Sequence, residues 1–336
     1  MHNIQYCLLF LFLTGISQLG STQDKNFSQW DVAPLSVNPA FTGTNPQGRG
    51  ILLHRVQFPQ SAGDFVTTYF SYDHNFSNSR SNMGIWLMND IAGAANFRST
   101  NVNVSYAHLV PLSRQWRLRL GLEIGYGTKN LNYVDLVFGD QLTNTGATGA
   151  PTQEALDNEN LNYLDISTGF LIYSEVYWFG FSAAHLNQPN QNFLDQDYRL
   201  PIRYGVQGGV RLPLEGIQDN ERTIGAAFSY RAQGSLHNLD VGMLGNYKNV
   251  SLGLWYRNLP IQESAEGALA LQTGLQFNGL RFSYAFEYAF GSLTGLGGAH
   301  ELGITYLFRY PKRVSRKRPL RYVAFPLFSE YGDERY

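Results

Sequence analysis

Apolar side chains recur at every second position in segment after segment of this chain, and beyond residue 23 no apolar run is long enough for a membrane helix. Trp116, Leu118, Leu120, Leu122 and Ile124 alternate with Arg117, Arg119, Gly121 and Glu123. Phe282, Tyr284, Phe286, Tyr288 and Phe290 are set against Arg281, Ser283, Ala285, Glu287 and Ala289, and Leu302, Ile304, Tyr306 and Phe308 against Glu301, Gly303 and Thr305. Successive strand residues face opposite sides, so each segment carries one apolar face and one small or polar face. A soluble sandwich and a transmembrane barrel both produce that pattern. The sandwich requires frequent charges on its outward face, whereas only 15% of this chain is charged, against the usual quarter or so. Aromatic residues near segment ends suit the girdle of a barrel at the membrane interface. The expected fold is therefore an all-β transmembrane antiparallel barrel.

Fourteen strands are expected, near 51–58, 64–74, 83–90, 98–109, 116–128, 161–173, 176–186, 202–212, 222–231, 238–246, 249–257, 268–277, 280–290 and 300–308. An even count places both chain ends on one side of the membrane, expected to be the periplasm. On that side fall the tight links Ser174-Glu175, Tyr247-Lys248 and Asn278-Gly279, with 212–221 longer than such a turn needs. The opposite side takes the long connections 129–160 and 187–201 and the Gly-rich Gly291–Ala299. Fourteen strands enclose more space than wall side chains readily fill. Residues 23–50 are a candidate occupant of the lumen or its periplasmic mouth. Pro34, Pro39 and Pro46 oppose strand pairing there, while Phe27, Trp30, Leu35 and Phe41 need burial.

The flanking segments have their own signatures. Tyr6 to Ile16 is an apolar run of signal-peptide length followed by Gly20, Ser21 and Thr22, so 1–22 is expected to be a leader cleaved after Thr22. The sole cysteine, Cys7, lies in that run, which leaves the expected mature chain without thiol chemistry. The barrel is expected over 51–308 and a basic periplasmic tail over 309–336. Lys312, Arg313, Arg316, Lys317, Arg318 and Arg321 of the tail suit contact with anionic lipid or an acidic protein surface, or simple solvation.

Catalytic signatures do not emerge. His2, His54, His74, His108, His185, His237 and His300 form no zinc-ligand spacing. Asp135, Asp140, Glu154, Asp157 and Glu159 lie in one loop without the spacing of a calcium-binding EF-hand. Ser105 and His108 fall on opposite faces of one strand, which precludes a nucleophile–base pair. Arg117, Arg119, Glu123, Arg257, Arg281 and Glu287 are expected to point inward, as a structural ladder of ion pairs or as the lining of a solute path. With 25 basic and 26 acidic residues, no overall field selects nucleic acid. Neither enzyme activity, cofactor nor metal is expected; the outer-membrane lipid is an expected partner.

The run Phe27-Ser-Gln-Trp-Asp-Val-Ala-Pro-Leu-Ser-Val-Asn-Pro-Ala-Phe-Thr-Gly43 resembles the opening of the PorP/SprF family, and Phe27, Gln29, Asn38, Pro39, Ala40 and Gly43 carry the match. Leu161–Leu186 is similar to the family's aromatic-rich central hairpin, and Ala299-His-Glu-Leu-Gly-Ile-Thr-Tyr306 to its closing strand. Asp31-Val-Ala-Pro34 departs from the family pattern, as does the basic tail. The resemblance implies an outer-membrane protein of type IX secretion, a pathway linked in some bacteria to gliding motility. It also implies a role in the secretion or surface anchoring of a partner such as an adhesin, through secretion components or the adhesin itself. The inward charges and strand count leave a general or solute-specific porin as the alternative.

Overall fold

In the computed structural model the described residues are 24, 26–45, 48–61, 63–76, 79–93, 97–131, 139–143, 146–147, 160–191, 199–214, 222–259 and 267–308. The expected leader and all six basic tail residues lie outside them, as do Asp135, Glu154, Asp157 and Glu159. Fourteen strands form one closed ring: β1 Gly48–Gln57, β2 Asp64–Asn75, β3 Ser81–Gly93, β4 Phe97–Pro111, β5 Arg117–Asn130, β6 Asn160–Tyr173 and β7 Tyr177–Ala184 make the first half. β8 Arg203–Pro213, β9 Arg222–Gln233, β10 Leu236–Tyr247, β11 Val250–Arg257, β12 Ala268–Phe277, β13 Leu280–Ala289 and β14 Ala299–Leu307 complete it. Each strand pairs antiparallel with its neighbours in sequence, and β1 closes on β14 from Arg49 opposite Leu307 to Gln57 opposite Ala299. Closure leaves the ring itself with no unpaired edge, the condition for crossing hydrocarbon with strands. Leu142–Thr143 and Gly146–Ala147 pair separately from the ring.

The alternation read from the sequence sorts the wall as expected. On β5, Leu120, Leu122 and Ile124 stand outward at 49%, 48% and 57% exposure, while Arg119 and Glu123 point inward at 2% and 5%. Ser105 is buried inward, and His108 lies on the outer face beside Tyr106. The turn from β12 to β13 is Asn278-Gly279, both with positive φ (48° and 85°), the geometry that Asn-Gly favours in a two-residue hairpin.

The start of β1 and the end of β14 share one mouth, with the turns 76–80, 112–116, 174–176, 248–249 and 278–279 and the longer connection 214–221. The opposite mouth carries 131–159 and 185–202, along with the shorter 58–63, 94–96, 234–235, 258–267 and 290–298. The two longest connections thus share one mouth. Ahead of β1, residues 26–45 lie inside the ring, and Phe27, Trp30, Val32, Ala33, Leu35, Ala40 and Phe41 are all buried. The segment holds one helical turn, α1 Pro34–Val37, followed by a 3-10 turn at Pro39–Phe41. Both open on proline, whose missing N–H is no loss at a helix start.

Candidate functional site

The lumen is a folded core built from two sources, the wall's inward side chains and the N-terminal segment. Trp30 sits edge-on to Trp255 with ring centroids 5.2 Å apart and is 6.3 Å from Trp178. Phe41 meets Trp178 edge-on at 5.8 Å, and Phe27 meets Tyr69 at 5.6 Å. Of the five Trp, then, Trp86, Trp178 and Trp255 face the lumen with Trp30 packed among the last two, and only Trp116 stands outward. Girdle placement of aromatic residues applies to this chain's Tyr and Phe more than to its Trp.

The six residues that carried the family resemblance converge in this core, every one of them buried. Asn38 caps the 3-10 turn by accepting from the Ala40 N–H at 2.9 Å. Its amide nitrogen donates to the carbonyls of Phe170 (3.2 Å) and Phe181 (3.0 Å), joining the segment to β6 and β7. Pro39 and Ala40 run so close to β5 that a Cβ on Gly121 would lie 2.3 Å from the Ala40 nitrogen. At Gly43, whose φ of 66° is left-handed, the N–H donates to Asp73 at 2.8 Å. The Gly43 carbonyl accepts from Asn75 (2.9 Å) and Arg119 (2.7 Å), and Arg49 grips Asp73 at 2.8 Å. Phe27 and Gln29 belong to the other end, where the Gln29 N–H donates to Glu301 at 2.9 Å.

Ser28 anchors a second polar centre. Its N–H donates to Glu301 and its hydroxyl to Glu287, while Arg55 and Arg257 donate back to that hydroxyl at 2.7 and 3.0 Å. Arg55 pairs with Glu287 and Glu301, Arg257 with Glu287 and Asp240, and Arg231 with Asp240 at 2.8 Å. Three arginines face three carboxylates, so the buried cluster is neutral. Of the charges expected inside, Arg257 and Glu287 belong to this ladder. Glu123 instead accepts from the Trp86 indole at 2.7 Å, Arg281 donates to Ser251 at 2.6 Å, Arg119 holds the N-terminal segment, and Arg117 is half-buried at the rim. Asp31, where the family pattern is broken, rests fully buried with its carboxylate 3.5 Å from the Gln272 amide.

A third centre lies at the mouth with the long connections. His185, just past β7, places Nε2 2.6 Å from Asp24 and Nδ1 3.0 Å from Asp165, and Arg203 of β8 is 2.9 Å from Asp24. Burial by itself would lower the His185 pKa, but the two carboxylates outweigh it and raise it to about 9. Burial opposes ionisation of Asp24 as well, and His185 and Arg203 overcome it, holding that carboxyl below its usual range. His185 is the residue that spacing could not single out, because its partners are 161 positions before it on a separate segment and, in Asp165, on the neighbouring strand. Among the described residues no group of His, Cys, Asp and Glu is placed to hold a metal ion.

Comparison with known proteins adds a family. Residues 19–306 match the model of a family described as type IX secretion system membrane protein PorP/SprF. No curated protein matches the sequence. Solved structures similar to the chain include a KdgM porin, at 8% identity and a TM-score of 0.37, covering 78% of this chain and 99% of that one. The Pseudomonas putida toluene transporter TodX is similar at 8% identity and 0.42, covering 85% and 94%. BamA from Haemophilus ducreyi lacking POTRA domains 1-3 is similar at 9% and 0.37, covering 78% and 70%. At these scores the likeness is loose, and the fold rests on the closed hydrogen-bonded ring itself.

Proposed function

We propose, from the premise that this chain belongs to the PorP/SprF family of type IX secretion system membrane proteins, that it works without catalysis to assist the secretion or surface anchoring of a partner protein such as an adhesin. The barrel sits in the outer membrane, with its short turns towards the periplasm and its long connections outward, as barrels of this kind are usually oriented. On this reading the outer connections meet the exported partner, and secretion components engage the periplasmic side. The basic tail, with Lys312, Arg313, Arg316, Lys317, Arg318 and Arg321, offers those components or anionic lipid a cationic surface.

One observation carries the choice between anchoring and solute transport: the lumen is occupied by residues 26–45, hydrogen-bonded to β2, β4, β5, β6, β7, β13 and β14. A steady aqueous path needs wetted charges, whereas here Arg55, Arg257, Glu287 and Glu301 are buried and paired with one another. Affinity capture from detergent-solubilised outer membranes tests the proposal, with mass spectrometry of what co-purifies. Secretion components or a large surface protein are expected. Recovery of the barrel alone, together with a steady open conductance in planar bilayers, would shift the function to a porin.

A further inference from the structure

We infer that the N-terminal segment threads the whole barrel, so that the mature amino terminus, Gln23 once the expected leader 1–22 is removed, lies at the mouth with the long connections, opposite the mouth where β14 ends. The contacts order the segment along the lumen. Asp24 is held at the long-connection rim by His185, by Arg203 at the start of β8, and by Gln233 at the end of β9, which accepts from the Asp24 N–H at 3.4 Å. Asn26 reaches Asp240 near the start of β10 at 3.3 Å. Ser28 lies one step deeper, against Arg55, Arg257, Glu287 and Glu301, each a few residues from the same rim. Asn38 is at mid-depth and beyond, against Phe181 and Phe170. Gly43 reaches Asp73 and Arg119 near the other mouth, and β1 begins there at Gly48.

Reach is no obstacle. A barrel wall crosses ~25 Å of apolar membrane, and twenty residues extended would span roughly 65 Å, so the segment covers the distance even with its two helical turns. Threading also departs from the expectation that both chain ends lie on one side. That expectation holds for the barrel's own first and last strands, while the segment ahead of β1 doubles back through the lumen. Because β1 closes on β14 around this segment, the amino terminus next to Asp24 opens only onto the long-connection mouth. Resting on the proposed orientation, that amino terminus stands at the cell surface beside the connections that meet an exported partner. Its attachment point at the rim is the cluster of Asp24, His185, Asp165 and Arg203, with Lys129 of β5 nearby.

Single cysteines report the topology directly, since Cys7 is the chain's only native thiol. In a Cys7→Ala background, Gln23→Cys marks the mature amino terminus, Thr294→Cys the connection 290–298 at the long-connection mouth, and Ser113→Cys the turn 112–116 at the other. Cells are treated with a membrane-impermeant maleimide, intact and after the outer membrane is opened. Gln23→Cys is expected to label under the same condition as Thr294→Cys and differently from Ser113→Cys. Labelling of Gln23→Cys together with Ser113→Cys, or its failure to label even in opened cells, overturns the inference. Thr294→Cys alone reports which mouth faces outward, so a wrong orientation and a wrong threading give different results.

Discussion

Replacing Gly121 by alanine tests whether the N-terminal segment is a fitted part of the barrel. The added methyl would lie 2.3 Å from the Ala40 nitrogen, 2.5 Å from the Pro39 carbonyl carbon and 2.7 Å from the Ala40 Cα. All three are backbone atoms, so no side-chain rotation relieves the clash. Reaching an ordinary contact of about 3.4 Å requires a retreat of roughly 1.1 Å by the 38–41 turn or by β5 (3.4 minus 2.3). A retreat of that size takes the Asn38 bonds to Phe170 and Phe181, now 3.2 and 3.0 Å, past bonding distance. Overpacking costs about 1–3 kcal/mol, and each of the two lost hydrogen bonds adds about 1 kcal/mol; the expected loss is about 3–5 kcal/mol. Gly245→Ala is the control, because a Cβ there meets nothing within 4 Å. Denaturant unfolding of both variants in detergent micelles measures the difference, and planar-bilayer conductance reads any loosening of the lumen. Gly121→Ala with a midpoint matching that of Gly245→Ala, and a barrel still sealed, would refute the packing described for the Asn38-Pro39-Ala40 turn.

Trp30→Ala removes the side chain between Trp178 and Trp255 and is expected to cost about 3–5 kcal/mol; a thermal melt within a degree or two of the parent would contradict its place in the core. Glu301→Gln leaves Arg55 with a weakened buried partner and deprives the Ser28 and Gln29 N–H groups of a charged acceptor, so a loss of about 3 kcal/mol is expected in the same unfolding assay. The rim cluster gives a pH signature. The His185 pKa is raised, so its contribution is complete below about 6.5 and fades as pH rises through about 9, while Asp24, held low, loses its share only in acid. The stability difference between the parent and His185→Asn should therefore shrink between pH 6.5 and 9; a difference that stays constant over that window would show that the pairing does not stabilise the fold.

The sequence by itself determined the wall. Period-two alternation states which side of a strand each residue takes, and this sufficed to place Arg119, Glu123, Arg281 and Glu287 inside and Leu120, Leu122 and Ile124 outside. Local turn chemistry located Asn278-Gly279, and the proline-rich opening marked 23–50 as something other than strand. The strand limits shifted by a few residues, with β1 starting at Gly48 ahead of the expected 51. Only the tertiary structure decided what those faces meet. Alternation assigns a residue to the lumen without saying which residue stands across from it, because that depends on closure of the ring. Arg55 finds Glu301 at a separation of 246 positions, and Asn38 finds Phe181 at 143. The inward turn of Trp86, Trp178 and Trp255 became intelligible only with Trp30 and Phe41 packed against two of them. The direction in which the segment crosses the lumen has no local signature at all: it is fixed by a handful of long-range contacts, from Asp24 at one rim to Gly43 near the other.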